Sequence, residues 1–150
     1  MLLKVKYLFP NIPELISAEG DSGYDIRAAI EKPLDIQPAE RVSVPTGIMV
    51  EIANLPKPIL KFESVELQVR PRSGLTKRGL IAQFGTIDAS YRGEIWITLI
   101  NASKDVITIE PLDRIAQLVV CPIYKPQVVK ADTLSETARG AKGFGSSGRR

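Results

Sequence analysis

Five short segments combine acidic, cationic or hydroxyl side chains with glycine, and their residues are the ones whose types could do chemistry. They are GDSGYDIRAA, RPRSGL, GTIDASYRGEI, DRIAQL and the glycine-rich RGAKGFGSSG near the end of the chain. The 150-residue sequence has no histidine and only Cys121 as cysteine. A general base must therefore be a carboxylate, tyrosine, lysine or arginine, and a zinc site is not expected.

The segment GTIDASYRGEI carries Asp88 between two short strand-like pieces, which predicts a hairpin with Asp88 near its tip. An aspartate in such a place commonly serves only as a turn former. A carboxylate in water is ionised at neutral pH, so Asp88 could instead orient a water molecule as a base. The segment by itself leaves both interpretations open.

The segment RPRSGL follows a strand and opens a short helical turn predicted from Ser73 to Arg78, with Ser73 as its capping residue. A helix N-terminus presents free N–H groups to an anion, and Arg72 and Ser73 add further donors. The alternative is a capped turn that merely carries a surface arginine.

The glycine-rich end matches GxGxxG, but no strand precedes it and no second βαβ strand follows, so a dinucleotide fold is not indicated. Arg139, Lys142, Ser146 and Ser147 supply donors suited to phosphate, and Phe144 could stack on a base. The alternative is a disordered linker.

Two further segments favour structural roles when taken alone. Asp25, beside glycine and tyrosine, is a turn residue by default. Arg114 and Gln117 interrupt an otherwise apolar strand, which favours structural pairing.

The elements that must position these residues are mostly strands. Residues 65–70, 94–100 and 106–109 alternate apolar and polar side chains, residues 115–124 read as a buried strand, and proline and glycine punctuate the chain. The pattern predicts an all-β sandwich or closed barrel with at most one short helix. We expect one domain over residues 1–126 and a C-terminal arm with a flexible tail over 127–150.

The composition limits the environment and the partners. The chain is 44% hydrophobic and 25% charged, and its net charge of +3 suits an anionic ligand without demanding a nucleic acid. Neither a long apolar run nor a secretory signal is evident, and the lone cysteine excludes an intrachain disulfide. We expect a cytoplasmic protein that binds neither membrane nor nucleic acid.

The order and spacing of the five segments resemble the five motifs of the trimeric dUTPase family, from Gly20 to Gly148. The resemblance implies a jelly-roll-like β-barrel subunit in a homotrimer, with each active site built from three chains. It also implies Mg²⁺-dependent hydrolysis of dUTP to dUMP and pyrophosphate, which keeps uracil out of DNA and supplies dUMP for thymidylate synthesis.

Carried over by position, the resemblance implies that Asp88 orients the attacking water and that Asp25 touches the Mg²⁺ shell through water. Tyr91 would pack under the deoxyribose, and Phe144 would cover the uracil. The full set of implied nucleotide contacts is Arg72, Ser73, Gly74, Ala82, Thr86, Ile87, Asp88, Tyr91, Trp96, Gln117, Arg139, Phe144, Gly145, Ser146 and Ser147.

The sequence also departs from the family pattern. Lys142 and Leu112 stand where glycine is common, and the stretch from Ser73 to Asp88 is slightly short. That short spacing also resembles dCTP deaminase, but the position of the deaminase glutamate is Thr98 here. A non-enzymatic dUTPase-like binding module is a further alternative. A nucleic-acid binder is a weaker one, because the positive charge gathers at the C-terminus without interleaved aromatics.

Overall fold

The computed structural model describes residues 1–54 and 64–141, and nearly all of its regular structure is strand. The strands within these residues are β1 (Leu2–Tyr7), β2 (Tyr24–Arg27), β3 (Leu34–Ile36), β4 (Arg41–Pro45), β5 (Ile48–Ala53), β6 (Ser64–Arg70), β7 (Leu80–Ala82), β8 (Gly85–Asp88), β9 (Trp96–Asn101), β10 (Ile107–Ile109) and β11 (Arg114–Ile123). One five-residue helix, α1 (Ser73–Lys77), lies between β6 and β7.

The strands form two larger antiparallel sheets and two strand pairs. One sheet has the order β2-β11-β6-β8, the other has the order β4-β9-β7, and β1 pairs with β5 as β3 pairs with β10. Non-consecutive neighbours dominate, as expected of crossed-over jelly-roll topologies. The predicted all-β, jelly-roll-like fold with one short helix is confirmed.

Period-two alternation builds the core between the sheets. In β6 every second residue is buried, so Val65, Leu67 and Val69 point inward while the intervening polar side chains point outward. Strand β11 adds Ile115 and Leu118, which are fully buried. Each such side chain contributes about 1.5–3 kcal/mol by leaving water, so these two strands anchor the residues that flank them.

The hairpin predicted around Asp88 is wrong in its pairing. Strand β7 pairs with β9, and the N–H of Gln83 extends that pairing to the carbonyl of Thr98 at 2.8 Å. After Gln83 the chain no longer pairs with β9, and β8 joins the other sheet by pairing with β6. Strands β8 and β9, which flank the Asp88 turn, separate because the backbone groups of each are hydrogen-bonded within a different sheet. Asp88 ends β8, just before a turn.

The predicted capping role of Ser73 is also wrong. Arg72 is the extended N-cap residue of α1, it makes no side-chain capping hydrogen bond, and Ser73 is already the first helical residue. The Ser73 hydroxyl is therefore not committed to capping this helix. The helix is too short to be stable alone and depends on its contacts with the sheet.

Leu112, the residue that replaces a common glycine, has a left-handed backbone with φ of 65°. Such a conformation costs a residue with a Cβ about 1–2 kcal/mol, which explains why glycine suits the position. Its N–H donates to the carbonyl of Ala28 at 2.9 Å, and its side chain packs half-buried against the core. Tertiary contacts thus hold the strained turn in place.

Asn101 is fully buried, and its amide ties together three segments. The Nδ2 group donates to the carbonyls of Ile36 and Asp105, both at 2.8 Å, and Oδ1 accepts the Ser103 N–H at 2.9 Å.

Asn101→Leu should lower the free energy of unfolding by about 2 kcal/mol or more, because it leaves these buried groups unpaired. Urea denaturation measures the change. Ser43→Ala, at an exposed site, is the control, and equal losses in both variants would contradict the prediction.

Residues 124–141 carry no strand or helix and are exposed throughout. Among them, Val128 and Leu134 have about nine-tenths of their surface in solvent, at 93% and 89%. The domain boundary predicted at residue 126 remains a prediction. Within the described residues the longest helix has five residues, well below the roughly 20 that span a bilayer.

Candidate functional site

A cavity of about 590 Å³ lies where β2, β11, β6 and the start of α1 meet. The register places Asp25 of β2 beside Gln117 of β11, and Gln117 beside Arg70 of β6, so these three residues form one row across the sheet. We call this cavity the cationic pocket. Its lining residues are Ile16, Gly20, Asp21, Ser22, Gly23, Asp25, Arg70, Arg72, Ser73, Gly74, Arg114 and Gln117.

Asp25 holds two arginines of the cationic pocket in place. Its Oδ1 lies 2.8 Å from Arg72 Nε, and its Oδ2 lies 3.1 Å from Arg114 Nη1. Both pairs are partly exposed, so each stabilises the fold by at most about 1 kcal/mol. Their main effect is geometric, because they fix guanidinium groups that keep further donors for an anion. Asp25 lies within a strand, so the turn interpretation was wrong.

Hydroxyl and backbone donors complete the cationic pocket. Ser73 and Gly74 occupy the first turn of α1, whose N–H groups have no acceptors within the helix. An added Cβ at Gly74 would meet nothing within 4 Å, so the space above it is open. Gln117 Nε2 donates to the carbonyl of Pro71 at 3.1 Å, which fixes the strand end that leads into the helix. The pocket can therefore accept a polyanion.

A second cavity, of about 270 Å³, opens where β8 separates from the start of β9. We call it the seam pocket, because it lies between the two sheets. It is less polar than the cationic pocket and carries two aromatic side chains. Its lining residues are Thr86, Ile87, Asp88, Tyr91, Glu94, Ile95 and Trp96.

Strand β8 offers backbone groups to the seam pocket. It is the edge strand of its sheet, since β6 occupies one side and no described strand pairs with the other. An edge strand keeps a row of unpaired N–H and carbonyl groups, which can recognise a planar ligand with a fixed donor and acceptor pattern. Thr86 and Ile87 lie in this strand.

Asp88 and Tyr91 are joined by a tight turn at one end of the seam pocket. The N–H of Tyr91 donates to the carbonyl of Asp88 at 2.9 Å, and Tyr91 Oη donates to the carbonyl of Glu94 at 2.9 Å. Within the described residues, no hydrogen bond or ion pair is recorded for the exposed Asp88 carboxylate, which can therefore engage a water molecule. The aromatic ring of Tyr91 is half exposed and offers an apolar face.

The two pockets share no lining residue. Asp88 lies opposite Glu66 in the pairing of β8 with β6, whereas Arg70 lies four residues further along β6, a distance of about 13 Å. Within one chain, the phosphate-type donors and the candidate base are therefore on separate surfaces.

The structure divides most of the predicted site residues between the two pockets. Arg72, Ser73, Gly74, Gln117 and Asp25 line the cationic pocket, while Thr86, Ile87, Asp88, Tyr91 and Trp96 line the seam pocket. Ala82 lines neither, because its backbone lies in β7 opposite Leu99 and its side chain is buried. Arg139 lies in the exposed arm, and the predicted contacts outside the described residues are Phe144, Gly145, Ser146 and Ser147.

Sequence reasoning missed several residues of the cationic pocket. The alternation of β6 turns Arg70 outward with the other polar residues of that strand, and this pattern could have indicated Arg70 as a pocket residue. Arg114 was interpreted as structural, although its pairing with Asp25 makes it part of the pocket wall. Asp21 and Ser22 belong to the first motif but carried no signal of their own. Across residues 1–54 and 64–141, no cluster of three acidic or cysteine side chains could ligate a metal.

Comparison with known proteins gives one consistent result. The family model described as dUTPase matches residues 12–148. A deoxyuridine 5'-triphosphate nucleotidohydrolase of Chlamydia pneumoniae is 46% identical and covers 91% of this chain and 90% of its own. One from Aquifex aeolicus is 45% identical, covering 99% and 97%. A variant of the Staphylococcus bacteriophage 80alpha dUTPase with dUpNHpp has a TM-score of 0.80, 28% identity and 98% coverage of both chains.

These matches span both pockets and nearly all of the strands that position them. The family match begins before the first motif and ends at Gly148, within the glycine-rich end of the sequence. The curated relatives cover the chain at an identity well above the level at which only the fold is shared. The chain belongs to the dUTPase family.

Proposed function

We propose that this protein hydrolyses dUTP to dUMP and pyrophosphate at a site made from both pockets. The observation that carries the proposal is the division between a pocket of anion donors and a pocket with a carboxylate and aromatic rings. Nucleotide hydrolysis needs both surfaces, one for the triphosphate and one for the nucleoside and the attacking water. The curated relatives are named for this reaction.

We propose a homotrimer in which neighbouring chains complete each site. The cationic pocket of one chain would face the seam pocket of a second, and the C-terminal tail of a third would close over them. The separation of Asp88 from the arginines within one chain supports this arrangement. So does the exposed arm at residues 124–141, whose apolar side chains find no cover on their own domain. The C-terminal arm and tail, from residue 127 onward, would then reach from their own chain to a site formed by the other two chains.

In the proposed reaction Asp88 acts as general base. Its carboxylate accepts a proton from a water molecule while the water oxygen bonds to the α-phosphorus. The bond from the α-phosphorus to its bridging oxygen breaks, and pyrophosphate leaves with the electron pair. The products are dUMP and pyrophosphate, and the proton taken by Asp88 passes to solvent.

The cationic pocket would hold the phosphates. Arg72, Ser73 and Gly74 supply one guanidinium, one hydroxyl and first-turn N–H groups, with Gln117 beside them. The few carboxylates there suit a Mg²⁺ ion held mainly by phosphate oxygens, with Asp25 reaching it through water. Magnesium bound there would neutralise negative charge on the leaving pyrophosphate. A solved dUTPase of phage phi11 is described with a structural Mg(II) ion, although at 24% identity its likeness to this chain concerns the fold.

The seam pocket would recognise the nucleoside. The open edge of β8 at Thr86 and Ile87, with the start of β9 near Trp96, would read the uracil edge through backbone groups. A base with the wrong pattern would leave a donor unpaired at a cost of about 1–3 kcal/mol. Tyr91 would pack under the deoxyribose. Phe144 would cover the base, while Arg139, Gly145, Ser146 and Ser147 would close on the γ-phosphate.

The dCTP deaminase alternative is disfavoured at Thr98, which stands at the position of the deaminase glutamate and lies within β9. The nearby carboxylate of Glu94 accepts a backbone hydrogen bond from Gly47 at 2.8 Å. It is thus engaged elsewhere. No observation favours a non-enzymatic binding module over the enzyme. A cytoplasmic location stays a prediction from the lone cysteine.

Incubation with dUTP and MgCl₂ tests the proposal. We expect dUMP and pyrophosphate in equal amounts, no ammonia from dCTP, and a strong loss of rate with EDTA. Light scattering with gel filtration should give the mass of three chains. Ammonia from dCTP would establish the deaminase instead, and binding of dUTP without turnover would establish the binding module.

Arg72→Lys should lower kcat/KM for dUTP by about 10-fold, because lysine cannot pair with Asp25 and present a planar fork to phosphate together. Steady-state kinetics measure the effect. Arg78→Lys is the matched control, since Arg78 is the exposed C-cap of the same helix and does not line the pocket. Equal activity of the two variants would show that Arg72 does not bind phosphate.

A further inference from the structure

The segment from Tyr91 to Ile95 has no strand pairing and is attached to the turn between β4 and β5. Thr46 Oγ1 donates to the carbonyl of Ile95 at 2.6 Å, and the N–H of Ile95 donates to the carbonyl of Ile48 at 3.0 Å. The N–H of Gly47 donates to Glu94 Oε1 at 2.8 Å. Three hydrogen bonds thus connect a wall of the seam pocket to the Thr46–Gly47 turn and to Ile48, the first residue of β5.

That turn is a rigid support. Gly47 is buried with φ of +66°, and a Cβ there would lie 3.0 Å from Ile12 and 3.2 Å from Ala29. The carbonyl of Gly47 accepts the N–H of Leu8 at 2.8 Å, and Thr46 is only 1% exposed. Close packing leaves the turn little freedom, so whatever binds to it is held in one place.

Glu94 transmits this position to Tyr91. Its side chain binds the Gly47 N–H, while its own carbonyl accepts the Tyr91 hydroxyl at 2.9 Å. The ring of Tyr91 lies on Gly93, where an added Cβ would collide with the tyrosine ring and hydroxyl. The orientation of Tyr91 therefore depends on where residues 93 and 94 sit.

We propose that Glu94 is a positioning residue that sets the sugar specificity of the seam pocket by fixing Tyr91 against the turn at Thr46 and Gly47. The inference rests on the proposed function, in which Tyr91 packs under the deoxyribose. Glu94 acts as a hydrogen-bond acceptor here, so its negative charge is not required. Glutamine can replace it in this role, whereas methionine, of similar size, cannot.

Trp96 provides a readout that does not depend on catalysis. It is the only tryptophan of the sequence, it lines the seam pocket, and it is 54% exposed. Quenching of its fluorescence reports nucleotide binding directly. Titration with dUMP and with UMP gives two dissociation constants, and their ratio measures discrimination against the 2'-hydroxyl.

We expect Glu94→Met to reduce the preference for dUMP over UMP by about 10-fold, with Glu94→Gln within about twofold of the unchanged protein. Glu51→Met, the same substitution at a partly exposed glutamate of β5 that lines neither pocket, is the control. A loss of stability alone would weaken both nucleotides equally and leave the ratio intact. Thr46→Val and Thr46→Ser form a second pair, in which only valine should lower the ratio.

Kinetics with dUTP and UTP separate the two proposals. An unchanged preference in Glu94→Met, an equal loss in Glu94→Gln, or no preference for dUMP in the unchanged protein would overturn the role of Glu94. If the unchanged protein prefers dUMP but hydrolyses no dUTP, the proposed hydrolysis fails. In that case a loss of preference in Glu94→Met would still support the positioning role.

Discussion

Asp88→Asn should lower kcat for dUTP by about 10²-fold or more while nucleotide affinity changes by less than about threefold. Asparagine has nearly the same size and keeps the backbone carbonyl that accepts the Tyr91 N–H. Its amide, however, does not take a proton from water at neutral pH. Steady-state kinetics and Trp96 fluorescence with a non-hydrolysable dUTP analogue measure the two quantities separately.

Asp105→Asn is the matched control, because Asp105 is an exposed loop carboxylate that lines neither pocket. It should leave both quantities unchanged. Unchanged turnover in Asp88→Asn would remove Asp88 from the proposed mechanism. An equal fall in affinity and kcat would assign it a binding role instead.

Deletion of residues 139–150 should lower kcat/KM for dUTP by about 10²-fold or more and leave the folded trimer intact. Residues 124–141 are exposed and add nothing to the described core. The deletion removes the donors and the aromatic ring that are proposed to close over the nucleotide, namely Arg139, Phe144, Ser146 and Ser147. We therefore expect a melting temperature within about 3 °C of the full chain.

Deletion of Arg149 and Arg150 alone is the control for lost positive charge, and it should be nearly fully active. An unfolded or monomeric product after deletion of residues 139–150 would give the tail a structural role. Full activity of that product would show that nucleotide closure does not need it.

The strands themselves could be predicted from sequence because their signal is local. Alternation in residues 65–70 corresponds to β6, and the apolar run from residue 115 corresponds to β11. A buried face needs a residue at every second position whatever the partner strand is. The same argument turns Arg70 outward, although its place in the pocket was not foreseen.

The pairing of strands could not be predicted in the same way. Strand β8 was expected to return onto the strand after the Asp88 turn, but it pairs with β6, some twenty residues earlier in the chain. The choice between two sheets depends on the packing of the whole domain, which a short alternating segment does not encode.

Residue types identified much of the candidate site. Which of these residues contact one another depends on the tertiary structure. Asp25, taken alone, resembled a turn former, and only the fold brings it to Arg72 and Arg114. Ala82 fell within a plausible segment yet lies buried opposite Leu99. Such outcomes depend on contacts between residues far apart in sequence. The type of a residue does not reveal these contacts.

The seam between β8 and β9 has a consequence for amide hydrogen exchange. A nucleotide seated there would hydrogen-bond to the open edge of β8 in the position of a missing strand, joining the sheet that contains β6 to the sheet that contains β9. Local opening of β8 would then require release of the ligand. A nucleotide bound as proposed would thus slow deuterium uptake at Thr86 and Ile87, and the substrate would then be a structural component of the domain during turnover.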